Sequence, residues 1–126
     1  MIKQVFHVED YWKVIVYYNV DYDLFDDIYQ ELRRAAAAIK TISNIYNVMS
    51  NGRGKAVTYS NIKQHKSIVL FNLHKSKIDY VNSLVHEAEH IKQAMLEAYN
   101  VKDEGEDPAY TIGYLVSKMW KILGNL

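Results

Sequence analysis

Cysteine is absent from the 126 residues, and with it disulfide bonds, thiolate nucleophiles and sulfur ligands for a metal. Any metal site has to be built from imidazoles and carboxylates. Proline occurs once, at Pro108, and glycine five times, too few for a flexible linker or a fibrous repeat. There is no surplus of charge either, because fifteen Lys and Arg balance fifteen Asp and Glu. Non-specific nucleic-acid binding and attachment to anionic membranes run on such a surplus, so neither partner is expected. Long apolar runs are missing as well. Within Met1 to Val20 the uncharged apolar stretch is Val14 to Tyr18, five residues, short of a signal-peptide core or a membrane span. A cytoplasmic protein is the expectation.

What is present is a folding composition. Hydrophobic residues make up 49% of the chain and charged residues 24%, which excludes intrinsic disorder. The length suits one domain over residues 1–126, able to bury roughly two thirds of its unfolded surface. Val5 to Val8 and Tyr11 to Val20 are rich in Val, Ile, Tyr and Trp, and the second run alternates, so both are read as strands. Asp23 then stands as an N-cap ahead of one long amphipathic helix to about Ser50, its stripe running from Phe25 through Ile28, Leu32, Ala35 and Ile39 to Met49. Gly52 and Gly54 stop it. Lys55 to Ser60 and Ser67 to His74 form a β-hairpin whose second strand, with the continuous run Ile68 to Phe71, is expected to be covered. Ser76 with Asp79 makes a capping box for a helix from about Lys77 to Asn100. An acidic loop, Asp103 to Asp107, leads to a last helix with Ile112, Val116, Met119, Trp120 and Leu123 on one stripe, ended by Gly124. The order ββ, α, ββ, α, α predicts an α+β domain with a small antiparallel or mixed sheet.

The residues with chemistry lie on the capped helix. His86-Glu87-Ala88-Glu89-His90 is an H-E-x-x-H sequence, and four residues make a little more than one helical turn. The imidazoles of His86 and His90 therefore share a face, close enough to hold one tetrahedral zinc ion, with Glu87 beside them as a base rather than a ligand. At such a centre the ion lowers the pKa of its water toward about 7 and the base takes the proton. The competing reading is two solvated histidines on a charged helix. Ile78, Val81, Leu84, Val85, Ala88, Ile91 and Met95 are read as the buried face, which puts both histidines opposite it.

No histidine follows His90, so a third ligand has to be a carboxylate. Glu97 is on the same face but roughly 10 Å further along the axis. Glu106 and Asp107 are better placed ahead of the last helix, although both also suit a helix N-terminus, with Asp107 as N-cap and Pro108 in the first turn. Tyr110 follows Glu106 by one turn and either donates a hydroxyl to a developing oxyanion or packs. Gly113 would allow the last two helices to approach closely. His65 and His74 flank the hairpin strand within reach of a site bordering it, or are ordinary loop histidines.

His86-Glu87-x-x-His90, followed by Gly105-Glu106-Asp107-Pro108-Ala109-Tyr110-Thr111-Ile112-Gly113-Tyr114-Leu115, resembles the small zincin-like metallopeptidases related to minigluzincins, including those encoded by phages and prophages. In these a Glu precedes an Ala-Tyr pair on the helix after the motif helix. The resemblance extends from Tyr11 onward and implies a zincin-like core with an outer hairpin strand bordering the cleft. It implies zinc as cofactor, His86, His90 and Glu106 as its ligands, Glu87 as base, and a peptide or protein substrate. A phage-associated binding or structural protein that keeps the fold around a vestigial or structural metal is the rival expectation.

Overall fold

The alternation read in the second strand has a stronger basis than one wet and one dry face, because both faces of that strand are apolar and both are covered. β1 (Ile2–Val8) and β2 (Trp12–Tyr18) pair antiparallel, joined by a turn in which Glu9 and Asp10 take positive φ. A 3₁₀ turn (Tyr22–Leu24) leads to α1 (Phe25–Arg34) and α2 (Ile39–Ser50), which are followed by β3 (Ala56–Asn61), β4 (Lys66–Phe71), α3 (Lys77–Tyr99) and α4 (Glu106–Leu123). The sheet order is β1-β2-β4-β3, with β2 and β4 parallel and both outer pairs antiparallel. The computed structural model describes all 126 residues as this α+β arrangement of a four-stranded mixed sheet and four α-helices. No helix is long and apolar enough to cross a membrane.

Period-2 geometry sends successive β2 side chains to opposite faces. Trp12, Val14, Val16 and Tyr18 join Val69 and Phe71 of β4 against Leu84, Ala88, Ile91 and Met95 of α3 and Leu115, Met119 and Leu123 of α4. Ile15, Tyr17, Ile68 and Leu70 pack on the other face against Ile28 and Leu32 of α1 and Ile42 and Met49 of α2. The sheet is thus a middle layer, and the parallel β2–β4 pair is covered on both sides, as parallel strands generally are. Covering of Ile68 to Phe71 is borne out: all four are buried. The Trp12 indole N–H inside the sheet is satisfied by Ser67 Oγ at 2.9 Å.

The expected long helix is two helices. The chain leaves α1 at Ala35, takes a left-handed turn at Ala36 (φ 62°), and restarts from Ala38 in an extended conformation. Helix propensity favours alanine, but burial outweighs it: Ala35 and Ala37 sit in the core against the sheet, where larger side chains would not fit. The break is satisfied from the sheet, since Asn61 Nδ2 donates to the Ala35 carbonyl at 2.9 Å and Ala37 N–H donates back to Leu32 O at 2.9 Å. Asp23 is not the N-cap. Asp21 caps the preceding 3₁₀ turn, accepting from Asp23 N–H, and α1 itself starts after Leu24 with no side-chain cap.

The helix break makes an opposite-sign prediction for one substitution. A left-handed alanine is strained by about 1–2 kcal/mol, more than the roughly 0.5–1 kcal/mol that glycine loses in backbone entropy, so Ala36→Gly should leave stability unchanged or raise it by up to about 1 kcal/mol in urea unfolding. In an unbroken helix the same change would cost about 1 kcal/mol.

Candidate metal centre

Ser76 starts α3 as read from the sequence, its hydroxyl accepting from Asp79 N–H, and Asn100 ends it in the left-handed conformation that Asn tolerates. The buried stripe differs from the expected one by a rotation. Tyr80, Leu84, Glu87, Ala88, Ile91 and Met95 are buried, whereas Ile78 and Val85 are exposed. The reason is that α3 serves two neighbours, the sheet and α4, so its dry face is centred between Ala88 and Ile91. That rotation carries Glu87 inward and keeps His86 and His90 outside.

The two imidazoles converge. His86 Nε2 and His90 Nε2 are 3.1 Å apart, one donating to the other, with the rings nearly perpendicular. Two nitrogens bound at 2.0–2.1 Å to one tetrahedral ion stand about 3.3 Å apart, so the pair is within a few tenths of an ångström of a zinc-binding spacing. Glu87 is 3% exposed and accepts one hydrogen bond, from Thr58 Oγ1 of the edge strand β3 at 2.9 Å. No Lys, Arg or His forms an ion pair with it. A buried carboxylate without a countercharge is costly, and a cation at the neighbouring imidazoles would relieve it. The donor chemistry of the pair therefore fits zinc as two ligands.

Beyond His90, α3 and β3 enclose an open cavity of about 520 Å³, lined by Thr58, Ser60 and Ile62 from alternate positions of the strand and the turn after it, and by His90, Gln93, Glu97 and Asp103. The hairpin's outer strand, β3, borders this cavity. Glu106 does not join the imidazoles. It is the first residue of α4, capped by Gly105 (φ 88°), and lines a different cavity of about 580 Å³ with Glu9, Tyr110 and Tyr114. Asp107 lies within the first turn of α4 rather than at its N-cap, and it lines a third cavity with Lys92 and Tyr99. Both acids complement the helix dipole. No group of three His, Asp or Glu side chains converges anywhere in this arrangement.

Other expectations resolve locally. Tyr110 is 73% exposed beside Glu106, away from the His90 cavity. His65 stacks on Trp12, and His74 is buried between the Asn72 carbonyl and Ser83 Oγ. Neither lines the His90 cavity. Gly113 makes no close helix contact, because α4 meets α3 through Leu115 and Met119 instead. Gly52 and Gly54 end α2, Gly52 in a positive-φ turn.

The sequence reading missed Thr58, Lys92 and Asp103. Lys92, 6% exposed, donates to Asp103 Oδ2 at 2.6 Å and pairs with Glu89 at 2.8 Å, and Gln93 Nε2 reaches both carboxylates at 2.9 Å. Burial alone would lower the Lys92 pKa, but the hydrogen bonds it donates to Asp103 and Glu89 outweigh it and the net shift is upward. The same lysine, then Gln93, hold the Glu89 carboxyl below its ordinary value. A period-2 Thr58/Ser60 face on the outer strand was the available signal for Thr58. Nothing in the linear order links Asp103 to Lys92.

Comparison with protein-family models, with curated proteins and with solved structures finds no match, so the site is read from its own geometry.

Two outcomes follow. Thr58→Val removes the only hydrogen bond to a buried charge and should cost about 1.5–3 kcal/mol, but little when Glu87 is Leu, a double-mutant cycle that checks the contact. Because the folded Glu89 pKa is depressed, its contribution is present above the unfolded value of about 4.3 and disappears as pH falls through the lower folded value. Glu89→Gln should therefore flatten the acid limb of an unfolding-versus-pH curve.

Proposed function

We propose that the chain is a zinc-dependent hydrolase of metallopeptidase type, with His86 and His90 as two of the metal's donors, Glu87 as general base, and a zincin-like, minigluzincin-related core. The observation that carries this reading is a pair of imidazoles one helical turn apart whose Nε2 atoms converge to 3.1 Å, with a buried carboxylate lacking a countercharge at the residue after the first of them. Zinc bound there would supply a Lewis acid and a water acidic enough to lose its proton near neutrality.

The chain's own residues do the rest. Thr58 donates to one oxygen of Glu87 and orients the carboxylate, leaving the second oxygen to accept a proton and return it to a leaving amine. The low exposure of Glu87 limits competition from bulk water. The cleft beside β3 has room for a peptide segment, since about 520 Å³ lies within the usual range for ligand sites. The resemblance assigns the third donor to Glu106, with Asp107 as the alternative, and both line other cavities than His90 does.

A second reading, a non-catalytic metal-binding or structural protein, is favoured by one observation: Glu106 lines a cavity apart from the imidazole pair. Purified protein should take up about one zinc per chain, lost in His86→Ala or His90→Ala. Glu87→Gln retains a hydrogen-bond acceptor but no basicity, so zinc content should persist while chelator-sensitive peptide hydrolysis drops roughly 100-fold or more. A zinc-loaded wild type that cleaves nothing in a diverse peptide mixture would favour the second reading, and a protein that takes up no zinc would end both.

A further inference from the structure

Away from the imidazole pair, a groove runs beside the start of α4 between the β1–β2 turn and the end of α3. Two cavities of about 580 and 400 Å³ adjoin there, because Glu9, Tyr110 and Thr111 line both. Glu106 and Tyr114 line the first, and Asp107 and Tyr99 the second. Glu9, Glu106 and Asp107 are exposed and form no ion pair. Lys92 also lines the second cavity, but it is buried and its ammonium is already held by Glu89 and Asp103. Tyr110 stands where the cavities meet, 73% exposed. Burial, then the charge of Glu9, raises the Tyr99 hydroxyl above its ordinary value, so the potential that Glu9 sets up reaches the far wall of the groove. None of these six residues lines the His90 cavity.

We propose that this groove docks an extended segment of another protein that carries two basic side chains at alternate positions, one on each side of Tyr110. Charge sets the sign of the partner: three unanswered carboxylates repel an anionic segment and favour lysine or arginine. The tyrosine rings sharpen that preference, since ammonium and guanidinium groups lie favourably over aromatic faces. The chain itself does this at one end of the groove, where Lys118 Nζ lies 5.4 Å from the centre of the Tyr114 ring. A metal ion is a poor fit, because the acids do not converge on one point. An extended chain suits the layout instead. Its alternate side chains are about 6.6 Å apart, room to straddle one ring, so one basic group meets Glu9 and Glu106 beside Tyr114 while the next meets Asp107 beside Tyr99. Nothing in this docking depends on the metal reading.

The test is a titration of the full, nitrogen-15-labelled chain with the peptide Ser-Lys-Ser-Lys-Ser at low salt, followed by amide NMR shifts that report both affinity and location. Saturable shifts should centre on Glu9, Thr111 and Tyr114, and Ser-Glu-Ser-Glu-Ser should cause none. Glu9→Gln combined with Glu106→Gln should weaken binding by about tenfold or more, whereas Glu97→Gln combined with Asp26→Asn, which removes the same charge from the His90 cavity and from α1, should change it by less than about twofold. Tyr110→Ala should weaken binding by about fivefold or more and Tyr110→Phe by less than about twofold, because the ring face and not the hydroxyl makes the contact. All of these positions are exposed, so the variants fold, and their amide spectra verify it. Equal losses in the two charge-removing pairs, shifts centred on the cavity beside β3, or no saturable shift would each overturn the assignment. A dimer of the chain alone that disappears in Glu9→Gln with Glu106→Gln would place a second copy in the groove and overturn it as well.

Discussion

Leu84, Ala88, Ile91 and Met95 lock α3 onto the sheet and α4, and a helix that advances about 100° per residue then has no freedom in where its remaining side chains point. With Ala88 and Ile91 at the centre of the dry face, Glu87 is carried to the boundary where α3 meets the edge strand, and His86 and His90 are left one turn apart outside. The phase of the helix is set by several buried contacts. A Leu-to-Ala truncation in such a stripe costs about 2–5 kcal/mol, more than any single polar contact at the site, so packing dictates the chemistry's geometry and not the reverse.

That geometry leaves an electrostatic imbalance. Nearby, Lys92 answers Glu89 and Asp103, and on the opposite face of the sheet Lys3 and the Tyr17 hydroxyl both reach Asp27. Tyr17 and Lys3 hold the Asp27 carboxyl below its ordinary range, and burial with the same hydrogen bond raises the Tyr17 hydroxyl well above its own. Glu87 has only the Thr58 hydroxyl. Glu31, the other buried acid, is paired with Arg34 and Lys3. Under the proposed function a metal ion at the two convergent imidazoles would supply the charge that Glu87 lacks, and the cleft along β3 would admit an extended chain.

The sequence was informative where a pattern is local and periodic. The capped motif helix, the hairpin and the covered strand Ile68 to Phe71 all follow from caps, turn residues and apolar runs, and each is found. The long helix was misread because four alanines carry no signal that their small size serves close packing rather than propensity; Ala35 and Ala37 are pressed against the sheet, and Asn61, 26 residues on, caps the break. The motif histidines were legible because their spacing equals a helical turn. Their surroundings were not, since Thr58 and Asp103 reach α3 only through the sheet order and the path of the loop. The sequence suits Asp107 as the N-cap of the last helix, but the positive φ of Gly105 sets the boundary two residues earlier and makes Glu106 helical.

The central claim is that His86 and His90 act together as two donors to one metal ion. Zinc K-edge X-ray absorption on the zinc-loaded chain tests it most directly, since imidazole rings give outer-shell multiple scattering that carboxylates and water do not. The account predicts four light-atom neighbours at about 2.0 Å with the scattering of two imidazoles, falling to one in His90→Ala. A first shell of oxygen alone, or the same imidazole count in wild type and His90→Ala, would contradict it.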